Sequence, residues 1–214
     1  NTRFDLSNEG HNRMIMPGGY AGVSGNDDGS IGEPLASILL EWGIDPDDFK
    51  GRGDATRDAL QRAKRDLGPS RGYSHYEKMA DEQFTDAFHY TLFPNFAVSL
   101  WSDGFHFLRV RPHPTDPERC VFDNWWYASQ PEGETAPIRT TAAIVERDAV
   151  VEHEVFEAGK KSMGRTIDQD VEIFTLQQNS MRSRGYEGAY LADQESRVER
   201  YHELIDDYIE ERRP

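Results

Sequence analysis

Residues 90–101, YTLFPNFAVSLW, with SDG at 102–104 and FHFLRV at 105–110, decide the fold class. Aromatic and β-branched side chains crowd both runs, as they do on a pleated, half-buried surface. Asp103-Gly104 between them is a turn pair that tolerates the positive backbone angles of a tight hairpin. Residues 120–128, CVFDNWWYA, read as a further strand. The connection at 111–119 carries Pro112, Pro114 and Pro117, which cannot donate to a strand ladder. The three segments predict an antiparallel meander.

Upstream, residues 1–19 carry Phe4, Leu6, Met14, Ile15 and Met16 before Pro17-Gly18-Gly19, predicting one or two short strands and a turn. Residues 24–32, SGNDDGSIG, lack the alternating acids and closing Glu of a calcium loop and read as a solvated turn. A helix is predicted over 34–42, with Pro34 in its first turn and Leu35, Ile38, Leu39 and Trp42 on one face. A second is predicted over 54–67, with Asp54 as candidate N-cap and Gly68-Pro69 as stop signal. Residues 76–88 are a weaker helix candidate. Downstream, 139–152 predict short irregular pieces and 170–182 a helix. In the last helix, 195–212, Val198, Tyr201, Leu204, Ile205, Tyr208 and Ile209 form an apolar stripe. With no repeat or linker, the expected architecture is one α+β domain over residues 1–214. Its antiparallel sheet would wrap the long C-terminal helix, a helix-grip arrangement that encloses an apolar cavity.

The net charge of −15 over 214 residues excludes nucleic acid and anionic membrane as natural partners, since both select cationic surfaces. The 4 Trp, 9 Tyr and 11 Phe are too many for a disordered chain. Cys120 stands alone, so no internal disulfide forms; a buried inert thiol and a cytoplasmic location are expected. No apolar run is long enough for a bilayer span. The chain starts at Asn1 rather than Met, so a trimmed N-terminus is expected.

Local motifs for chemistry are sparse. The seven histidines, His11, His75, His89, His106, His113, His153 and His202, include no pair at helical ligand spacing, and HExxH is absent. No serine-hydrolase centre is expected. Phe93, Phe96, Trp101, Phe105, Phe107, Phe122, Trp125, Trp126 and Tyr127 can pack a core or wall a pocket. Asp168 and Asp170 precede a predicted helix, where a carboxylate serves as cap or as metal ligand.

Family resemblance goes further. Tyr90-Thr91-Leu92-Phe93-Pro94-Asn95, Arg109-Val110-Arg111-Pro112 and Asp116-Pro117 resemble the central sheet of Rieske-type aromatic-ring-hydroxylating oxygenase α subunits. Residues 4–17, with Gly10-His11-Asn12-Arg13-Met14, resemble that family's segment after its iron-binding histidines. Asp168-Gln169-Asp170, Gln177-Gln178, Met181-Arg182-Ser183 and Gln194-Glu195-Ser196 resemble its acidic-ligand region. The resemblance implies a mononuclear Fe(II) held by two His and one carboxylate. By spacing to Gln178, Asp170 matches the carboxylate; Asp168 is the alternative. The two His would lie before Asn1, as would a Rieske domain with its two-iron two-sulfur cluster, which a chain with one Cys cannot hold. The fragment alone is therefore expected to be inactive. The full-length protein would use O2 to hydroxylate an aromatic or related apolar substrate, by mono- or dioxygenation, with Phe93, Asn95, Phe105 and Phe107 lining the pocket. A reductase or ferredoxin would supply electrons, and a homotrimer or hetero-oligomer is implied. Two other classes share these features: a helix-grip carrier of an apolar ligand, and an assembly piece whose aromatics serve oligomer contacts.

Overall fold

The computed structural model describes residues 2–7, 10–18, 26–131, 133, 138–139 and 144–212. The architecture is α+β, in two compact units, Asn1–Glu134 and Thr135–Pro214.

The first unit holds a six-stranded antiparallel sheet whose strands neighbour one another in chain order. They are β1 (Arg3–Leu6), β2 (Asn12–Met16), β3 (Ala87–Leu92), β4 (Phe96–Trp101), β5 (Gly104–Pro112) and β6 (Cys120–Ala128). The meander is as expected, with one correction: residues 90–101 are not one run but parts of two strands. The reason lies in Phe93-Pro94-Asn95. Proline offers no N–H to the ladder. Asn95 reaches sideways instead, its Nδ2 donating to the Val110 carbonyl at 2.9 Å and its carbonyl accepting from Val110 N–H at 3.1 Å. Asp103-Gly104 does close a hairpin, with Trp101 paired to Gly104 across Ser102-Asp103. A Cβ at Gly104 would collide with the Tyr127 carbonyl of β6, so the close approach of backbones requires glycine there.

Between β2 and β3 stand α1 (Leu35–Glu41) and α2 (Ala55–Leu67), as the periodicity predicts. Asp54 sits at the α2 N-cap position, but its side chain makes no capping bond. The predicted helix over 76–88 is absent. Two 3-10 turns, Ser74–Lys78 and Asp81–Phe84, take its place, and β3 has begun by Ala87. Met79 and Ala80 are extended, and the Gln83 side chain accepts the Ala80 N–H at 2.7 Å, which halts helix propagation. The break lets Tyr76 and Phe84 both enter the core with Leu35, Leu39, Trp42 and Leu60. Cys120 corrects a second expectation: its thiol is exposed, because it opens the edge strand β6 opposite Pro112.

The second unit contains a two-stranded ribbon, β7 (Ile138–Arg139) with β8 (Ile144–Val145), then α3 (Arg165–Ser180) and α4 (Ser196–Ile209). The last helix is as expected. The one before it starts earlier than predicted, so Asp168 and Asp170 lie within its first turns rather than ahead of it. Gly164, at φ 98°, makes the sharp entry that allows this start. Among the described residues no helix is long and apolar enough to cross a membrane.

Candidate functional site

Strand pairing sorts the aromatic residues onto two faces. Phe105, Phe107, Arg109, Asp123, Trp125 and Tyr127 share one; His89, Ser99, His106, Asn124 and Trp126 share the other. On the first, Phe105 stacks on Tyr127 at 4.5 Å between centroids and Phe107 on Trp125 at 5.1 Å. Asp123 is buried there and accepts from Arg109 Nε at 2.7 Å and Arg111 Nε at 2.8 Å. The Arg111 hydrogen bond, opposed by burial and helped by Arg109, holds its carboxyl below the usual carboxylate range.

The second face is centred on His106, which is 7% exposed. Its Nε2–H donates to Asn124 Oδ1 at 2.5 Å, and its ring lies flat on Trp126, with centroids 3.8 Å apart. Burial lowers the His106 pKa, against the Asn124 hydrogen bond, so the imidazole is neutral at pH 7. Trp126 also stacks on Trp101 at 5.9 Å. Next to His106, Ser99 hydrogen-bonds His89 Nδ1 at 2.7 Å.

Of the predicted pocket residues, the structure brings together Phe105 and Phe107. Phe93 and Asn95 lie in the β3–β4 turn, where the Asn95 amide is engaged by Val110 and the Phe93 N–H donates to His11 Nδ1 at 3.2 Å. His106 and Trp126 were passed over as site residues; the period-two alternation of β5, which sets His106 opposite Phe105 and Phe107, is the signal that finds them.

Asp168 and Asp170 part company. Asp168 Oδ2 accepts from Ser162 Oγ at 2.5 Å and Oδ1 from the Met163 N–H at 2.8 Å. These bonds, the Ser162 one first, hold its pKa below the usual value. Asp170 is exposed, and its carboxylate has no hydrogen bond or ion pair among the described residues. Among the described residues no three His, Cys, Asp or Glu side chains come together as a metal site. The described residues therefore do not by themselves make an iron centre. Residues 68–72, GPSRG, do fit the GxSxG spacing of a hydrolase elbow, which the sequence reading overlooked. No strand leads into them, and Ser70 Oγ donates to the Leu67 carbonyl at 2.8 Å, so the serine closes a helix end.

The chain matches the family described as ring hydroxylating alpha subunit (catalytic domain) over residues 36–211. It belongs to that family. No curated protein and no solved structure matches it.

Proposed function

We propose that this chain is the C-terminal part of the catalytic domain of a Rieske-type oxygenase. The full-length protein uses O2 and mononuclear Fe(II) to hydroxylate an aromatic or related apolar substrate. A Rieske cluster passes on electrons from a reductase or ferredoxin, and the two histidine ligands come from sequence before Asn1. The family match over residues 36–211 carries this reading. Asp170 is the chain's own donor, because Asp168 has its carboxylate engaged at the start of α3 while that of Asp170 is uncommitted among the described residues. A metal ligand must bring a lone pair to the ion, and both oxygens of Asp168 already accept hydrogen bonds, from Ser162 and Met163.

In the full-length protein, Asp170→Ala should strip the iron and abolish O2-dependent hydroxylation, while Asp168→Ala should retain iron. Metal analysis and product assay read both. Full iron in the Asp170→Ala protein would refute the ligand assignment, and an iron-loaded, reductase-coupled protein that hydroxylates no aromatic would refute the oxygenase reading. The second reading is a helix-grip carrier of an apolar ligand, favoured by one observation: the Asp170 side chain is exposed.

A further inference from the structure

The two edges of the six-stranded sheet are built differently. β1 has four residues, of which Arg3 and Asp5 are charged and exposed. Shortness and charge keep an edge strand from pairing with another chain. β6 has nine residues, CVFDNWWYA, with no Lys and no Pro. Its one charge, Asp123, is buried and already accepts from Arg109 Nε and Arg111 Nε. In a chain of net charge −15, β6 is thus a long apolar edge along which two copies can meet without setting acid against acid.

The ladder fixes which backbone groups β6 turns outward. Val110 directs its N–H and C=O towards Asn95 on the β4 side, so it makes no ladder bond to Phe122 opposite. Bonded and non-bonded pairs alternate along an antiparallel ladder. Asn124, Trp126 and Ala128 therefore point their N–H and C=O away from β5, and these groups have no hydrogen bond among the described residues. The strand also complements itself. Laid antiparallel on a second β6 in full overlap, centred on Asn124, it sets Phe122 opposite Trp126 of the other copy and Val121 opposite Tyr127. These are an aromatic pair and an aromatic–β-branched pair, cross-strand combinations that stabilise a sheet. Asp123 falls opposite Trp125, which keeps the two carboxylates apart. Val121 and Tyr127 are 41% and 52% exposed, so both side chains are available for the contact.

We propose that β6 is a homodimer edge: two copies pair their β6 strands antiparallel about a two-fold axis at Asn124, joining their sheets into one. The pairing closes on itself, because each β6 edge is used once and the short, charged β1 is what remains. It rests on the sheet alone and on no part of the oxygenase reading.

Sedimentation velocity of the chain over a micromolar concentration series should show a monomer–dimer equilibrium. Val121→Lys puts a cation on the edge, and Ala128→Pro removes an outward N–H that β5 does not use. Each should weaken dimerisation by about tenfold or more. Leu6→Lys, on β1, should leave it unchanged. Cross-linking reads the register without disabling the edge. In a Cys120→Ser background, Val121→Cys with Tyr127→Cys sets thiols face to face in non-bonded pairs, where Cα atoms lie about 4.5 Å apart, within disulfide reach. Mild oxidation should give a covalent dimer, whereas Val121→Cys with Trp125→Cys should not. A chain that stays monomeric, leaving the edge to some other segment or partner, overturns the proposal. So does a dimer that survives Val121→Lys and Ala128→Pro but is lost in Leu6→Lys, or a covalent dimer from the second cysteine pair and not the first.

Discussion

Asp86 is 1% exposed and still charged. Its oxygens accept from Arg57 Nε and Nη2, each at 2.9 Å, from the Gly18 N–H at 3.0 Å and from Thr85 Oγ1 at 3.1 Å. Burial pushes its pKa up, but the Arg57 and Gly18 hydrogen bonds outweigh it and the net shift is downward. A carboxyl with a lowered folded-state pKa stabilises the fold above its ordinary range, and that contribution is lost as pH falls through the folded value. Asp86→Asn should cost about 3 kcal/mol at pH 7, the scale for breaking a buried pair from one side. Urea unfolding measures it, and the gap between the two proteins should shrink as pH falls below the carboxylate range. His106 adds to acid sensitivity in the same direction. Its lowered pKa means that the unfolded chain takes up the proton first, so stability declines as pH drops below the ordinary histidine value of 6.5. Neither role is legible in the sequence. Threonine, Asp86 and Ala87 run together with no motif, and the Asp86 partners Gly18 and Arg57 come from other elements of the chain. His106 looks like one of seven scattered histidines until strand pairing assigns its face.

The β4–β5 hairpin shows what local sequence encodes and what it omits. Asp103-Gly104 announces the turn, and the aromatic runs on either side announce the strands. Nothing in that stretch announces Lys64, whose buried Nζ donates to Ser102 Oγ and to Asp103 Oδ2, each at 2.8 Å. Asp103 also accepts from the Tyr76 hydroxyl, so α2 and the first 3-10 turn are fastened to the hairpin tip. The side chains are unequally placed: Lys64 is 4% exposed and Asp103 44%. Asp103→Ala strands a buried cation and should cost about 3 kcal/mol. Lys64→Met leaves an acid that water can reach and should cost less, about 1 kcal/mol. Thermal melts of the two variants check the order, and the reverse order would remove this account of the network. Gly104→Ala should be more damaging than either, because no rotamer relieves a Cβ set against the Tyr127 carbonyl; chemical denaturation of that variant provides the measurement. The misread helix over 76–88 has a similar origin. Apolar spacing there suits a helix, but the Gln83 side chain and the core positions of Tyr76 and Phe84 favour two short turns.

At the scale of the molecule, family membership and the meander were legible in the order of short motifs, because each strand carries its own composition and turn signals. The start of α3 was not, since the Gly164 entry and the Ser162–Asp168 bond are geometric and leave little trace in hydrophobic spacing. The net charge of −15 bears on partners. On the proposed oxygenase reading, docking of an electron-donating protein on this acidic chain should be steered by charge. Its association rate should then fall steeply with added salt, as screening at about 0.1 M already shortens electrostatic reach to about 10 Å. Stopped-flow association at rising ionic strength is the measurement, and a flat profile would exclude steering. The sheet itself has two kinds of connection. Strands β3 to β6 follow one another through short links, whereas β2 and β3 are joined through the whole helical insert from Met16 to Ala87. These connections differ in their tolerance of change. Doubling the insert's length adds only about 0.6 kcal/mol of closure entropy. One residue added at Ser102-Asp103 and absorbed as a register slip would turn β5 over and exchange Phe107 for His106 across the sheet. New specificities in such a scaffold are therefore gained cheaply by remodelling the insert, while the hairpin tip is where a single-codon insertion does the most harm.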